Sequence, residues 1–180
     1  MKKALKLPLV LMMLVALASS VASHAAARTP NRVGPTAADL LTFKGTLEGR
    51  HSSRTILNPP LAFDRFDTEG QATHLGQFEL VIEATVNFGS RPVTGAGTYV
   101  FTAANGDQLV APHSGSSALV RPGTVLITEH AVVDPSRSTG RFAGAEGTFT
   151  VERLADAATG VGGLTVGTFE GTISLLAGKG

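Results

Sequence analysis

From Phe78 onward the chain alternates: Phe78, Leu80, Ile82, Ala84, Val86 and Phe88 are apolar, and of the residues between them only Val81 is not polar. Strand side chains point in turn to opposite faces, so this is the period of a strand with one face buried and one wet. The same period runs through residues 41–48, with apolar residues or glycine at odd positions. It returns near the end, where Phe169, Gly171, Ile173 and Leu175 oppose Thr168, Glu170, Thr172 and Ser174. No segment after residue 27 shows sustained helical spacing. Strands that each carry one apolar face must stack or close on one another to bury it.

The spacing predicts further strands over 97–103 and 107–112, joined by a tight turn at Asn105-Gly106, where both residues tolerate positive φ. Others are expected over 124–133, 147–154 and 166–176. Residues 71–88 read as one long strand with a bulge or bend at Gly76. Residues 50–69 read as a long irregular loop around Asn58-Pro59-Pro60, and 114–117 as a flexible polar loop. Seven or eight antiparallel strands result. Closure removes exposed edges, so the expected fold is one antiparallel barrel of about eight strands over 40–178, with a β-sandwich as the alternative.

The first 27 residues differ in kind. Lys2, Lys3 and Lys6 precede an apolar run from Leu7 to Leu17 and a tail of small residues, which is the layout of a secretory signal peptide. The run is shorter than the ~20 residues of a spanning helix. Cleavage is expected at Ala22, Ala25 or Ala27, giving a secreted or periplasmic protein with a flexible arm over 28–39. The 15 Lys and Arg against 14 Asp and Glu become 12 against 14 once those three lysines leave, a net of −2. Without a basic cluster there is no footprint for nucleic acid. No later stretch has the length of a stable membrane span. The absence of cysteine removes disulfides, thiolate metal sites and thiol nucleophiles, so core burial must hold the domain together.

Two stretches carry a resemblance. Gly70-Gln71-Ala72-Thr73-His74-Leu75-Gly76 and Phe101-Thr102-Ala103-Ala104-Asn105-Gly106-Asp107 resemble a pattern of many uncharacterised secreted bacterial proteins. Thr139-Gly140-Arg141-Phe142-Ala143-Gly144-Ala145-Glu146-Gly147 resembles a segment of the allene oxide cyclase and dirigent barrels, with Ser138 where those families usually carry Gly. The resemblance implies an eight-stranded barrel, often trimeric, with a cavity along its axis. The matched residues are structural: Gly140 permits a turn and Phe142 anchors inward. The catalytic carboxylates of those families have no counterpart that can be placed.

Candidate chemistry is sparse. His74 shares the parity of Phe78 and Leu80 and would face inward if no bulge intervenes. Glu129 and His130 are neighbours on one strand and must point to opposite faces. His51 and His113 fall near loops, and no histidine pair has a metal-ligand spacing, so neither metal nor cofactor is expected. There is no nucleophile elbow or phosphate loop. Asp64, Arg65, Asp67 and Glu69 read as solvated loop charges, and Asp107 as a turn residue. The expected role is a non-catalytic barrel that binds a small apolar ligand or serves a structural role, with a homo-oligomer, such as a trimer, as its assembly. The alternative is a cofactor-independent isomerase or cyclase like the resembled families, using His74, Glu83 or Arg141 as polar groups in the cavity.

Overall fold

The computed structural model describes residues 40–175, so the secretion segment and arm expected over 1–39 lie outside the described residues. Eight antiparallel strands follow in order: β1 (Leu41–Ile56), β2 (Leu61–Ala72), β3 (Gly76–Asn87), β4 (Val93–Ala103), β5 (Gln108–Arg121), β6 (Thr124–Val132), β7 (Glu146–Asp156) and β8 (Leu164–Ser174). Each pairs with the next and β8 pairs back to β1, so the sheet closes into a barrel and not a sandwich. The turns after β1, β3, β5 and β7 gather at one end, here the open end. Those after β2, β4 and β6 gather at the other, the capped end. Among the described residues, no helix is long and apolar enough to cross a membrane.

The alternation over 78–88 is realised in β3, where Phe78, Leu80, Ile82 and Ala84 are buried. Three expectations need correction. Residues 50–69 are not a loop: β1 continues to Ile56 and β2 begins at Leu61, so the paired prolines occupy only a short turn. Charges concealed the strand, because Asp64 and Thr68 share the inward face of β2 with Ala62 and Phe66. A register shift between His51 and Ser53 also breaks the phase of β1. Residues 71–88 are two strands, and the turn between them has positive φ at His74 (63°) and Gly76 (69°). Thr73 ties that turn to β1, its hydroxyl donating to the Thr42 carbonyl (2.8 Å) and accepting from the Lys44 amide (3.0 Å). The segment 114–117 likewise belongs to β5.

The interior has two unlike halves. Towards the capped end, Phe43, Phe78, Phe101, Phe149 and Phe169 pack ring against ring with centroids 5.0–6.1 Å apart. Tilted and edge-on pairs of this kind add to the value of the area they bury. The connection between β6 and β7 folds across that end through a 3-10 turn, Gly140–Phe142, and buries Phe142 completely. Gly140 has a φ of 57°, and a side chain there would overlap the Asp107 carboxylate. The 105–107 turn clasps this cap. Asp107 accepts from the Arg141 amide (3.2 Å), and Thr139 Oγ1 accepts from the Gln108 amide (3.0 Å). The open half carries the charges.

Candidate functional site

Six strands send charged or polar side chains into the open half, Tyr99 from β4 and His113 from β5 among them. β1 supplies His51 and Arg54, β2 Asp64, β6 Glu129 and β7 Arg153, and on both β6 and β7 the charge occupies a position of the apolar phase. Their neighbours at that phase are Ile127 and Ala131 on β6, and Val151 and Ala155 on β7. A charge in such a place requires an internal partner, because an unpaired buried ion is very costly.

The partners form two clusters on opposite walls. On β4, β5, β6 and β7, Arg153 Nε donates to Glu129 Oε2 (2.9 Å) and Nη2 to Oε1 (3.3 Å), while the Tyr99 hydroxyl donates to Oε2 (2.5 Å). His113 stacks on Tyr99 at 4.1 Å, with Nδ1 3.5 Å from Glu129 Oε1. On β1 and β2, Arg54 grips Asp64 with two bonds of 2.7 Å, from Nε to Oδ1 and from Nη2 to Oδ2. His51 stacks on Phe66 at 4.6 Å, with Nε2 3.5 Å from Asp64 Oδ1. Each cluster is thus an arginine, a carboxylate and a histidine backed by an aromatic ring. Phe66 links them, since the Arg153 guanidinium lies 4.5 Å from its centroid.

Neither histidine is satisfied. His51 Nε2 and both ring nitrogens of His113 are buried without a hydrogen-bond partner. The separations of 3.5 Å to the carboxylates are too long to count. Most buried polar groups in proteins are paired, so these invite an explanation.

A cavity of about 300 Å³ occupies this half of the barrel. Its wall is largely apolar, formed by Phe66, Ala84, Val86, Phe88, Val93, Val125, Ile127 and Ala155, and its polar lining comes from His51, Asp64, Arg54, Glu129 and Arg153, together with Thr94, Ser116, Ser117 and Asp156. Two wider grooves lie on the outside of the barrel, bordered by Glu48, Glu69 and Glu79. The enclosed cavity is the candidate site.

Its electrostatics are those of two internally paired clusters, Arg54 with Asp64 and Arg153 with Glu129, with the carboxylate of Asp156 outside them. Burial pushes the His113 imidazole below its ordinary value of 6.5, with Glu129 opposing. Burial also works to raise the Glu129 carboxyl, but Arg153, His113 and Tyr99 together hold it below its ordinary 4.5. Burial, and then the Glu129 charge, drive the Tyr99 phenol well above 10.0. The two arginines therefore balance the two carboxylates. The linkage has a definite sign. The His113 contribution is complete above pH 6.5 and is lost as pH falls below it, and that of Glu129 follows below 4.5. The Tyr99 contribution is complete below pH 10.0 and is lost above it. Urea midpoints are expected to be flat between those limits and to fall on both sides. A His113→Gln chain should lose the decline that begins near 6.5 while keeping the one below 4.5.

The polar residues picked out from sequence lie elsewhere. His74 is exposed in the turn at the capped end, not on the inward face of β3. Glu83 points outward from β3 and pairs with Arg65 (3.0 Å). Arg141 lies on the cap, donating to the Leu75 carbonyl (3.2 Å) beside Phe142. None of the three reaches the cavity, and they are not brought together. Asp64, taken for a loop charge, and His51 and His113, placed near loops, are buried strand residues. Glu129 does point inward and His130 outward. Among the described residues no group of three or more histidines and carboxylates is placed to hold a metal. Comparisons with protein-family models, curated proteins and solved structures give no match.

Proposed function

We propose that this is an exported binding protein which takes a small, largely apolar, uncharged molecule with one hydrogen-bonding end group into the open half of its barrel. The observation that carries the reading is the cavity itself: largely apolar walls with His51 among the lining, its Nε2 buried beside Asp64 without a hydrogen-bond partner. Ligand sites are typically concave, mostly apolar and provided with a few placed polar groups, and about 300 Å³ is the small end of their range. The balanced charges favour a neutral guest, since an ionic one would add an unpaired charge to a buried site. A hydroxyl or carbonyl at His51 would satisfy the ring nitrogen. Export rests on the layout of residues 1–27.

Native mass spectrometry of the protein from its own secretion route tests this directly and also reads out the homo-oligomer, a trimer if the barrel resemblance extends to assembly. A small apolar mass is expected to co-purify and to disappear from an Ile127→Trp chain, whose indole fills the cavity. His51→Phe keeps the shape and removes the polar partner, and should weaken binding about tenfold, the value of one hydrogen bond. A bare protein that also shows no thermal stabilisation by apolar alcohols or ketones would rule the reading out.

A second reading, a cofactor-independent isomerase or cyclase, is favoured by one feature: the imidazole of His51 and the carboxylate of Asp64 lie side by side among the residues that line the cavity, a pairing that acid–base chemistry uses. Recovery of the captured molecule chemically unchanged after prolonged incubation would exclude it.

A further inference from the structure

We infer that the open end of the barrel is a docking surface for an anionic lipid bilayer. The strand register shows why that end is unlike the other. The last pair between β1 and β8 is Arg50 with Leu164, and beyond it His51 bonds the backbone of Gly162 and Gly163, so from Ser53 to Ile56 β1 runs on paired with β2 alone. The last pair between β4 and β5 is Val93 with Ser117, so β5 runs on to Arg121 paired with β6 alone. Two hairpins therefore project on opposite sides of the cavity mouth. Both have apolar tips: Ile56 and Leu57 are 61% and 51% exposed, Leu119 and Val120 71% and 52%. The remaining turns at this end add Phe88 and Val161, which are also exposed.

All four turns thus bring apolar side chains into solvent around one opening. Scattered single exposures are ordinary, but a ring of them marks an interaction surface. The turns at the capped end behave differently, burying Leu75 and Phe142 or presenting Ala104, Asn105 and Gly106.

The charge at the open end selects the partner. Arg54 is neutralised by Asp64. Arg91 and Arg121 bond to neutral groups, Arg91 Nη1 to the carbonyls of Phe88 and Ser90 (2.9 and 2.8 Å) and Arg121 Nε to Thr124 Oγ1 (3.1 Å). Asp156 at this end is hydrogen-bonded within its own turn by the Ala158 amide and Thr159 and keeps its charge, so two arginines stand against one carboxylate and the balance is positive. Apolar tips interleaved with an excess of arginine suit the boundary between anionic headgroups and acyl chains. Separate tips around a mouth also fit a deformable surface better than they fit one rigid protein face. Docked in this way, the cavity would open towards the phase in which apolar molecules collect.

Flotation of the exported protein with phosphatidylcholine vesicles, with and without phosphatidylglycerol, tests the inference. Binding is expected to the anionic vesicles only, and to weaken as salt is added. Replacing Leu119 and Val120 together by serine should reduce it by about tenfold or more, because the apolar area inserted is lost. Those residues are outside the core, so the variant's melting temperature should match the parent's. Val132→Ser, an exposed apolar change on β6 near the capped end, should bind like the parent. The inference is overturned if anionic vesicles do not float the protein, or if the tip variant floats as well as the parent. It is equally overturned by a dimer that the tip variant abolishes in the absence of any vesicle binding, which would assign the tips to a second copy. The assay contains no cavity ligand, so its failure and a failure of the binding reading are separate results.

Discussion

A Gly97→Val chain is expected to lose more than about 4 kcal/mol of stability, a size reserved for mutations that break a specific structural requirement. Gly97 lies between Ala84 on β3 and His113 on β5, where the sheet bends around the open half. A side chain there would overlap the Glu83 carbonyl oxygen and the Ala84 Cα. Both are backbone atoms of the neighbouring strand, and no rotamer change relieves them. β3 and β4 would have to part, and a barrel that opens at one seam exposes its core as well as two edges. Most small domains have only about 5–15 kcal/mol in hand, so urea unfolding should show a largely unfolded population. Gly97→Ala should fall in the same direction, by less. A melt of the alanine chain equal to the parent's would mean that the strands can separate there at no cost.

The reason this glycine is obligatory also explains what could be read from sequence. β3 was legible because its two faces differ in polarity at nearly every position, and β8 because its glycine and phenylalanine keep the same phase. The rest of the first hairpin beyond residue 48 was not, because the inward face there carries His51, Asp64 and Thr68, and polar residues inside look like polar residues outside. The site was hidden for the same reason. It is built from positions that break the binary pattern, and a reading based on that pattern discards them as loop or surface.

A signal was nevertheless present. On β6 the phase Ile127, Glu129, Ala131 puts a carboxylate where an apolar residue belongs, and on β7 Val151, Arg153, Ala155 does the same with a guanidinium. Opposite charges at the inward phase of two consecutive strands are a pair waiting to be recognised, because each needs the other to be buried at all. His74 misled in the opposite way. Its parity matched the core, but parity is carried only along an unbroken strand, and the left-handed turn at His74 and Gly76 resets it.

Breaking that pair should cost more than any other single change of charge in the molecule. In Arg153→Met, Glu129 stays buried with the Tyr99 hydroxyl and an unbonded His113, and the loss is expected to be about 3–5 kcal/mol at neutral pH. Removing both charges, Glu129→Gln with Arg153→Met, should recover much of it, since an apolar pair of similar size often does as well as a buried ion pair. The pH dependence separates this account from a simple packing defect. In the parent chain, acid destabilises, because His113 and Glu129 both bind protons less readily folded than unfolded. Without Arg153, burial of Glu129 is no longer opposed by a cation, and one proton on either Glu129 or His113 relieves the site. The folded site then takes up one proton where the unfolded chain takes up one on His113, so the loss of stability that the parent shows below pH 6.5 should be absent down to 4.5, the ordinary value of the carboxyl. The urea midpoint of the parent should therefore fall across that range while that of the variant stays flat. Parallel curves would mean that the guanidinium acts at this site through its volume and not through its charge.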